Sequence, residues 1–324
     1  MLTVEDCIND LNKADWYEKE VSKTGILQSF QTVKKYESLF YQTHSCYSRH
    51  ENHEIISELR NRIKSIRLKT PDNNYIDIWD INPYKEKRYI IFCQGISSEK
   101  SNLYQQKAYF SFVENGWGVI AFDYRGRGRS EGEFSQDGAL DDVKTVYNYL
   151  ISKGIKPADI GIIGHSMGTG VAVDFSCRIN TAFTILINPF SKASDMAKNI
   201  ARKVKMPALI KKVLMLMPSF LFPLKNKFDN VSALAKIKSP VLILHTRRDR
   251  TIPVQLARKL YNSNQNFNIT YLEIDGDDHE INPEKIDICL DFLHHVYTRI
   301  SKFVFSNVLL GTQRKCRTRH FFSF

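Results

Sequence analysis

Short, almost wholly apolar runs recur at 88–93, 118–123, 159–163, 183–188, 241–245 and 269–274, separated by amphipathic stretches long enough for helices. A strand covered on both faces of a sheet has no solvent side and reads as a continuous apolar run, and strand–helix alternation builds a parallel sheet. Two further strand-like segments, 63–70 and 75–82, flank Pro71-Asp72-Asn73-Asn74, a turn that joins them as a hairpin. The pattern predicts an α/β fold with an eight-stranded, mostly parallel sheet led by that hairpin. At 324 residues and 43% hydrophobic composition, the chain has enough apolar mass for one large domain with additions, and no internal repeat divides it.

The run ending at Ile163 leads into Gly164-His165-Ser166-Met167-Gly168, and a helix-like stretch follows. A serine on a tight strand-to-helix turn is lifted out at the carboxyl edge of the sheet, and glycines two residues to either side keep side chains from colliding with it. A glycine-rich turn with an idle serine fits the pentapeptide equally well, so partners must decide. A serine hydroxyl is a weak nucleophile until a base takes its proton, and that base is oriented by a carboxylate. The run 240–244 ends in a loop holding Asp249, and the run 269–274 ends in a loop holding His279. Loops that follow parallel strands open on one edge, so Ser166, Asp249 and His279 are expected to converge.

Phe122 to Gly132 resembles the Asp-x-Arg-Gly-x-Gly-x-Ser motif of α/β hydrolases, most closely the branch of membrane-associated hydrolases that includes protein depalmitoylases. Phe228-Asp229-Asn230, followed by Ile237-Lys238-Ser239-Pro240, is similar to that branch, and the similarity extends from about residue 63 to 302. The resemblance implies the α/β-hydrolase fold, with helices on both faces of the sheet and a small helical lid. It implies Ser166 as nucleophile, Asp249 as orienting acid and His279 as general base, with no metal or cofactor.

Where many relatives carry His-Gly after the third strand, this chain has Gln94-Gly95-Ile96-Ser97-Ser98. Gly95 lets the backbone approach a substrate, and the amides of Ile96 and Met167 are the candidate oxyanion donors. Gln94, Gly95, Gly164, His165 and Gly168 are expected to shape the site. Glutamine keeps the capacity to hydrogen-bond this loop, so retuning of the oxyanion hole is expected rather than its loss. The opposing reading of Gln94 is a catalytically silent relative with a degenerate hole.

Three additions surround the hydrolase-like domain, taken as 59–302. Residues 1–58 form a charged, helix-prone extension in which Ile26, Phe30, Val33, Tyr36, Phe40 and Tyr41 recur near helical spacing, as a cap on the domain or an arm for a partner. An insertion at about 189–239 falls where lids are built. Lys198, Arg202, Lys203 and Lys205 make its first half basic, while 208–224 is apolar apart from Lys211 and Lys212. The apolar stretch 213–224 contains Pro218 and Pro223 and is well short of the roughly twenty residues a bilayer requires. An apolar lid suits acyl chains, and the neighbouring lysines suit a phosphate head group or peripheral contact with an acidic membrane; a lid that merely closes the core with a solvated basic face fits as well. The basic tail, 303–324, reads as a solvated terminus, and no nucleic-acid-binding fold accompanies it.

The net charge of +11 suits a membrane surface or anionic substrates without choosing between them. Six scattered cysteines indicate neither a zinc site nor a disulfide framework. Early acids at the amino terminus and no basic-then-apolar pattern make the cytoplasm the expected location, with no signal peptide or membrane-spanning helix. The expected activity is hydrolysis of carboxylic esters or thioesters of a small or lipid-like acyl substrate through an acyl-enzyme. A small-peptide serine peptidase and a silent binding protein are the alternatives, and oligomeric state is left open.

Overall fold

A computed structural model describes residues 56–95, 98–203, 212, 215–216, 225–264 and 268–309, with 203 and 299–309 described by their backbone alone. Eight strands form one sheet: β1 (Ile63–Lys69), β2 (Tyr75–Ile81), β3 (Tyr89–Cys93), β4 (Gly118–Phe122), β5 (Ile160–His165), β6 (Thr184–Ile187), β7 (Val241–Thr246) and β8 (Ile269–Ile274). Their order across the sheet is β1-β2-β4-β3-β5-β6-β7-β8. Strand β2 runs antiparallel to both neighbours, and every pairing from β4 to β8 is parallel.

Burial explains the patterns in the sequence. Every residue of β3 to β7 is buried, which is why those strands read as unbroken apolar runs, whereas the edge strand β8 exposes alternate positions and β1 exposes four of its seven residues. Strand β5 continues through Gly164 and His165, because these two residues pair with Leu186 and Ile187 of β6.

Among the described residues seven α-helices accompany the sheet: α1 (Leu103–Glu114), α2 (Gln136–Ser152), α3 (Gly168–Ser176), α4 (Ala193–Lys203), α5 (Asn230–Leu234), α6 (Val254–Asn262) and α7 (Pro283–Leu309). One face of the sheet packs Val143, Val146 and Leu150 of α2 and Val171 and Phe175 of α3. The other packs Phe112 and Val113 of α1 and Cys289 and Leu293 of α7. Side-chain caps fix several starts: Asn102 accepts from the amides of Tyr104 and Gln105, Ser135 from that of Gly138, and Asp229 from that of Ser232.

The Asp-x-Arg motif has a structural use. Arg125 grips Asp142 of α2 through its main-chain amide and guanidinium, at 2.9, 3.0 and 2.8 Å, and reaches Asp72 in the β1–β2 turn at 2.6 Å. The hairpin is thereby tied to α2. Burial pushes the Asp142 carboxyl up to about 6 against the pull of Arg125.

The expected lid begins as α4, which Asp195 fastens to the domain by accepting from Ser191 Oγ at 2.6 Å and Lys259 Nζ at 2.8 Å. Most of the apolar half of the insertion lies outside the described residues, as do 1–55 of the amino-terminal extension and 310–324 of the tail. Helix α7 continues past residue 302, the expected end of the domain, to Leu309. No helix of the described residues is long and apolar enough to cross a membrane.

Candidate active site

Ser166 stands between β5 and α3 with φ of 55°, a left-handed conformation that costs a non-glycine residue about 1–3 kcal/mol and is retained where the surroundings enforce it. Its amide donates to the Ile187 carbonyl at 3.0 Å, and its carbonyl accepts from the Thr169 amide at 3.0 Å and hydroxyl at 2.6 Å. The flanking glycines make the turn possible. A Cβ on Gly164 would lie 2.6 Å from the Gly168 carbonyl oxygen, and one on Gly168 would lie 2.1 Å from that of Cys93, so β3, the turn and α3 pack backbone to backbone. A Cβ on Gly95 would sit 3.3 Å from that of Ser166, which places the loop after β3 beside the serine.

The loops after β7 and β8 bring the expected partners together. His279 Nδ1 and Asp249 Oδ2 are 2.6 Å apart, with Asp249 buried and the imidazole 15% exposed. The other Asp249 oxygen accepts from the amides of Thr251 and Ile252 at 2.7 and 2.9 Å. Burial raises the Asp249 carboxyl, but the hydrogen bond and charge of His279, the Ile252 amide and His245 outweigh it, and the net pKa lies below the ordinary carboxylate value.

His165 is buried directly before the serine, and burial first, then His279, holds its pKa down to about 3. A neutral imidazole donates from one nitrogen only. That donor is Nε2, which meets the His279 main-chain carbonyl at 2.8 Å.

Asn188 completes the arrangement and was not among the expected site residues. It follows β6 in a left-handed conformation, φ 50°, and its amide donates to Asp249 Oδ2 at 2.8 Å and to the His279 carbonyl at 3.0 Å. Its sequence signal was present: a polar residue closing the apolar run Thr184–Ile187, at the edge where Ser166 emerges.

The oxyanion side departs from expectation in one respect. Gln94 Nε2 points to Asp123 Oδ1 at 3.5 Å, and its Oε1 is buried with no hydrogen-bond partner among the described residues. Lys100 holds this segment instead. It is 3% exposed, its ammonium contacts Asp123 and lies 2.8 Å from Asp77, and its amide donates to Asp123 Oδ1 at 2.9 Å. With Asp123 already engaged by Lys100, the glutamine is left a marginal contact. Met167 lies at the amino end of α3, where first-turn amides have no intrahelical acceptor and face outward. Ile96, the other expected donor, lies outside the described residues.

Sequence and structure comparisons give one class. Residues 84–233 match the family described as "Serine aminopeptidase, S33". The chain is 29% identical over 233 residues to an uncharacterized protein of Acanthamoeba polyphaga mimivirus, covering 66% of this chain and 74% of that one. It is 32% identical over 186 residues to the lysophosphatidylserine lipase ABHD12 of Xenopus tropicalis, covering 53% of this chain and 46% of the lipase. The chain thus spans less than half the length of that lipase. An esterase from Pyrococcus furiosus has a similar fold, with a TM-score of 0.62 and 21% identity over 78% of this chain and 95% of its own. An alpha-beta hydrolase from Vibrio vulnificus aligns with a TM-score of 0.63 and 18% identity over 84% and 94%. By its strand order and these matches the chain has the α/β-hydrolase fold. Its likeness is to the esterases and lipases of that class.

Proposed function

We propose that the protein is a serine hydrolase that cleaves carboxylic ester or thioester bonds of lipid-like acyl substrates. The observation that carries the reading is the 2.6 Å contact between His279 Nδ1 and Asp249 Oδ2 beside a serine held in a left-handed turn. Asp249 keeps the His279 proton on Nδ1 and leaves Nε2 free to act as a base. His279 takes the Ser166 proton as the oxygen attacks the acyl carbonyl, and the Met167 amide, with that of Ile96, receives the developing oxyanion. The tetrahedral intermediate collapses as His279 returns the proton to the departing alcohol or thiol, leaving an acyl-Ser166 ester. Water, deprotonated by His279, then releases the acid and restores the serine.

Ester chemistry is favoured by the relatives' names and by the apolar composition of the lid, which suits an acyl chain. The family description favours a second reading, a small-peptide serine peptidase using the same residues. A series of nitrophenyl esters of increasing acyl length, run beside an acyl thioester and aminoacyl nitroanilides, separates the two. Turnover of medium to long acyl esters without anilide cleavage is expected; anilide cleavage exceeding ester cleavage would replace this reading with the peptidase.

A further inference from the structure

Lys285, in the first turn of α7, is fully buried at 0% exposure. Burying an ammonium is costly unless it is paired or hydrogen-bonded, and burial accordingly lowers its pKa. The groups that receive it are main-chain carbonyls. Its Nζ donates to the Asp278 oxygen at 2.8 Å and to the Glu280 oxygen at 2.5 Å, while the carboxylates of Asp278, Asp249 and Glu280 act on it at longer range. Asn282 Oδ1 accepts from the Lys285 amide at 3.0 Å, which fixes where the side chain leaves the helix.

The two carbonyls that Lys285 holds flank His279. The carbonyl between them, that of His279 itself, accepts from His165 Nε2 at 2.8 Å and from Asn188 Nδ2 at 3.0 Å. Three consecutive carbonyls are therefore gripped by side chains from the end of β5, the residue after β6 and the start of α7. A loop of this kind otherwise shifts readily, because its carbonyls can exchange protein partners for water. A compact ammonium with three freely directed donors can bridge two carbonyls of one tight turn; the planar fork of arginine cannot aim in the same way.

We propose that Lys285 is a positioning residue, clamping the loop so that the His279 imidazole stays in register with Ser166. The proposal rests on the serine-hydrolase reading for its catalytic consequence. It acts on the chemical step rather than on substrate capture, because Lys285 is buried behind the loop.

The test uses the full chain carrying Lys285→Met or Lys285→Gln, each checked for cooperative thermal unfolding. Misplacing a catalytic group by about 1 Å can cost about a hundredfold, so kcat on an acyl ester is expected to fall at least about tenfold in Lys285→Met with KM within about twofold. Labelling by a fluorophosphonate is expected to slow in step. Lys285→Gln, which keeps an uncharged donor, is expected to recover part of the loss. Amide hydrogen exchange in the segment carrying His279 is expected to quicken in Lys285→Met while that of β7 is unchanged. A folded Lys285→Met protein with kcat within about twofold of wild type would overturn the proposal, as would failure of both variants to fold, which would assign Lys285 to folding. If the wild-type protein neither hydrolyses esters nor takes the label, the enzyme reading has failed, and exchange alone decides the clamp: faster exchange supports it and unchanged exchange refutes it.

Discussion

His165 Nε2 lies 2.8 Å from the main-chain carbonyl oxygen of His279, so the residue immediately before the proposed nucleophile holds the residue proposed as its base. The serine turn and the histidine loop come from positions more than a hundred residues apart, yet one hydrogen bond joins them directly. His165→Phe keeps a ring in this buried place and removes the donor. Asn188 still serves the same carbonyl, so a stability loss of only about 1 kcal/mol is expected. A fall in kcat of about tenfold is expected as the base loosens. Thermal unfolding together with ester kinetics checks both parts.

Asn188 combines two requirements in one residue: a side-chain amide that reaches Asp249 and the His279 carbonyl, and a backbone at φ 50°. The two are separable. Asn188→Gly keeps the backbone conformation and loses the amide, whereas Asn188→Ala loses the amide and adds left-handed strain of about 1–2 kcal/mol. Both are expected to lose ester turnover to a similar degree, and Asn188→Ala alone is expected to show the extra destabilisation in denaturant unfolding.

Lys100, in the loop after β3, sits between two buried carboxylates, with Asp77 on one side and Asp123 on the other. Removing one partner of a buried ion pair typically costs about 3–5 kcal/mol because the remaining charge is stranded. Lys100→Met is expected to fall in that range, and Lys100→Met combined with Asp77→Asn is expected to recover part of it. Denaturant midpoints of the two single variants and the double variant supply the cycle.

Much of this molecule was legible before any coordinates. The buried strands announced themselves because a strand covered on both faces has no polar side, and all eight segments became strands with ends displaced by at most two residues. Ser166, Asp249 and His279 could be proposed from the sequence because each follows such a run. What escaped was set by tertiary surroundings. Lys100 and Lys285 are lysines in polar sequence, ordinarily a mark of solvent, and only the fold shows that both are buried and spent on holding loops. Gln94 was expected to keep a hydrogen bond to the loop after β3, but what its Nε2 meets is Asp123 Oδ1 at 3.5 Å, an oxygen that already accepts from the Lys100 amide. Asn188 read as the last residue of a strand, and its turn toward Asp249 depends on a left-handed backbone that composition does not reveal.

Glu273 on β8 accepts from Arg258 at 2.7 and 2.8 Å and from Arg247 at 3.3 Å, joining α6 and the loop after β7 to the edge strand. The Arg258 hydrogen bonds hold its carboxyl down to about 2, below the ordinary 4.5. A depressed folded-state pKa means the unfolded chain takes up the proton first as pH falls, so this stabilisation is complete above pH 4.5 and is lost between there and about 2. Glu273→Gln is expected to flatten the dependence of melting temperature on pH across that window, measured against wild type in the same buffers.

Ser166 is proposed here as an activated nucleophile, and that activation can be read chemically. It is tested most directly by incubating purified protein with a fluorescent fluorophosphonate, with Ser166→Ala and His279→Ala beside it, and following covalent labelling over time. Rapid labelling of wild type is expected, with none of Ser166→Ala and labelling of His279→Ala slower by about a thousandfold or more, as when a triad base is removed. Equal labelling of wild type and Ser166→Ala, or no labelling of a folded wild-type protein, would contradict it.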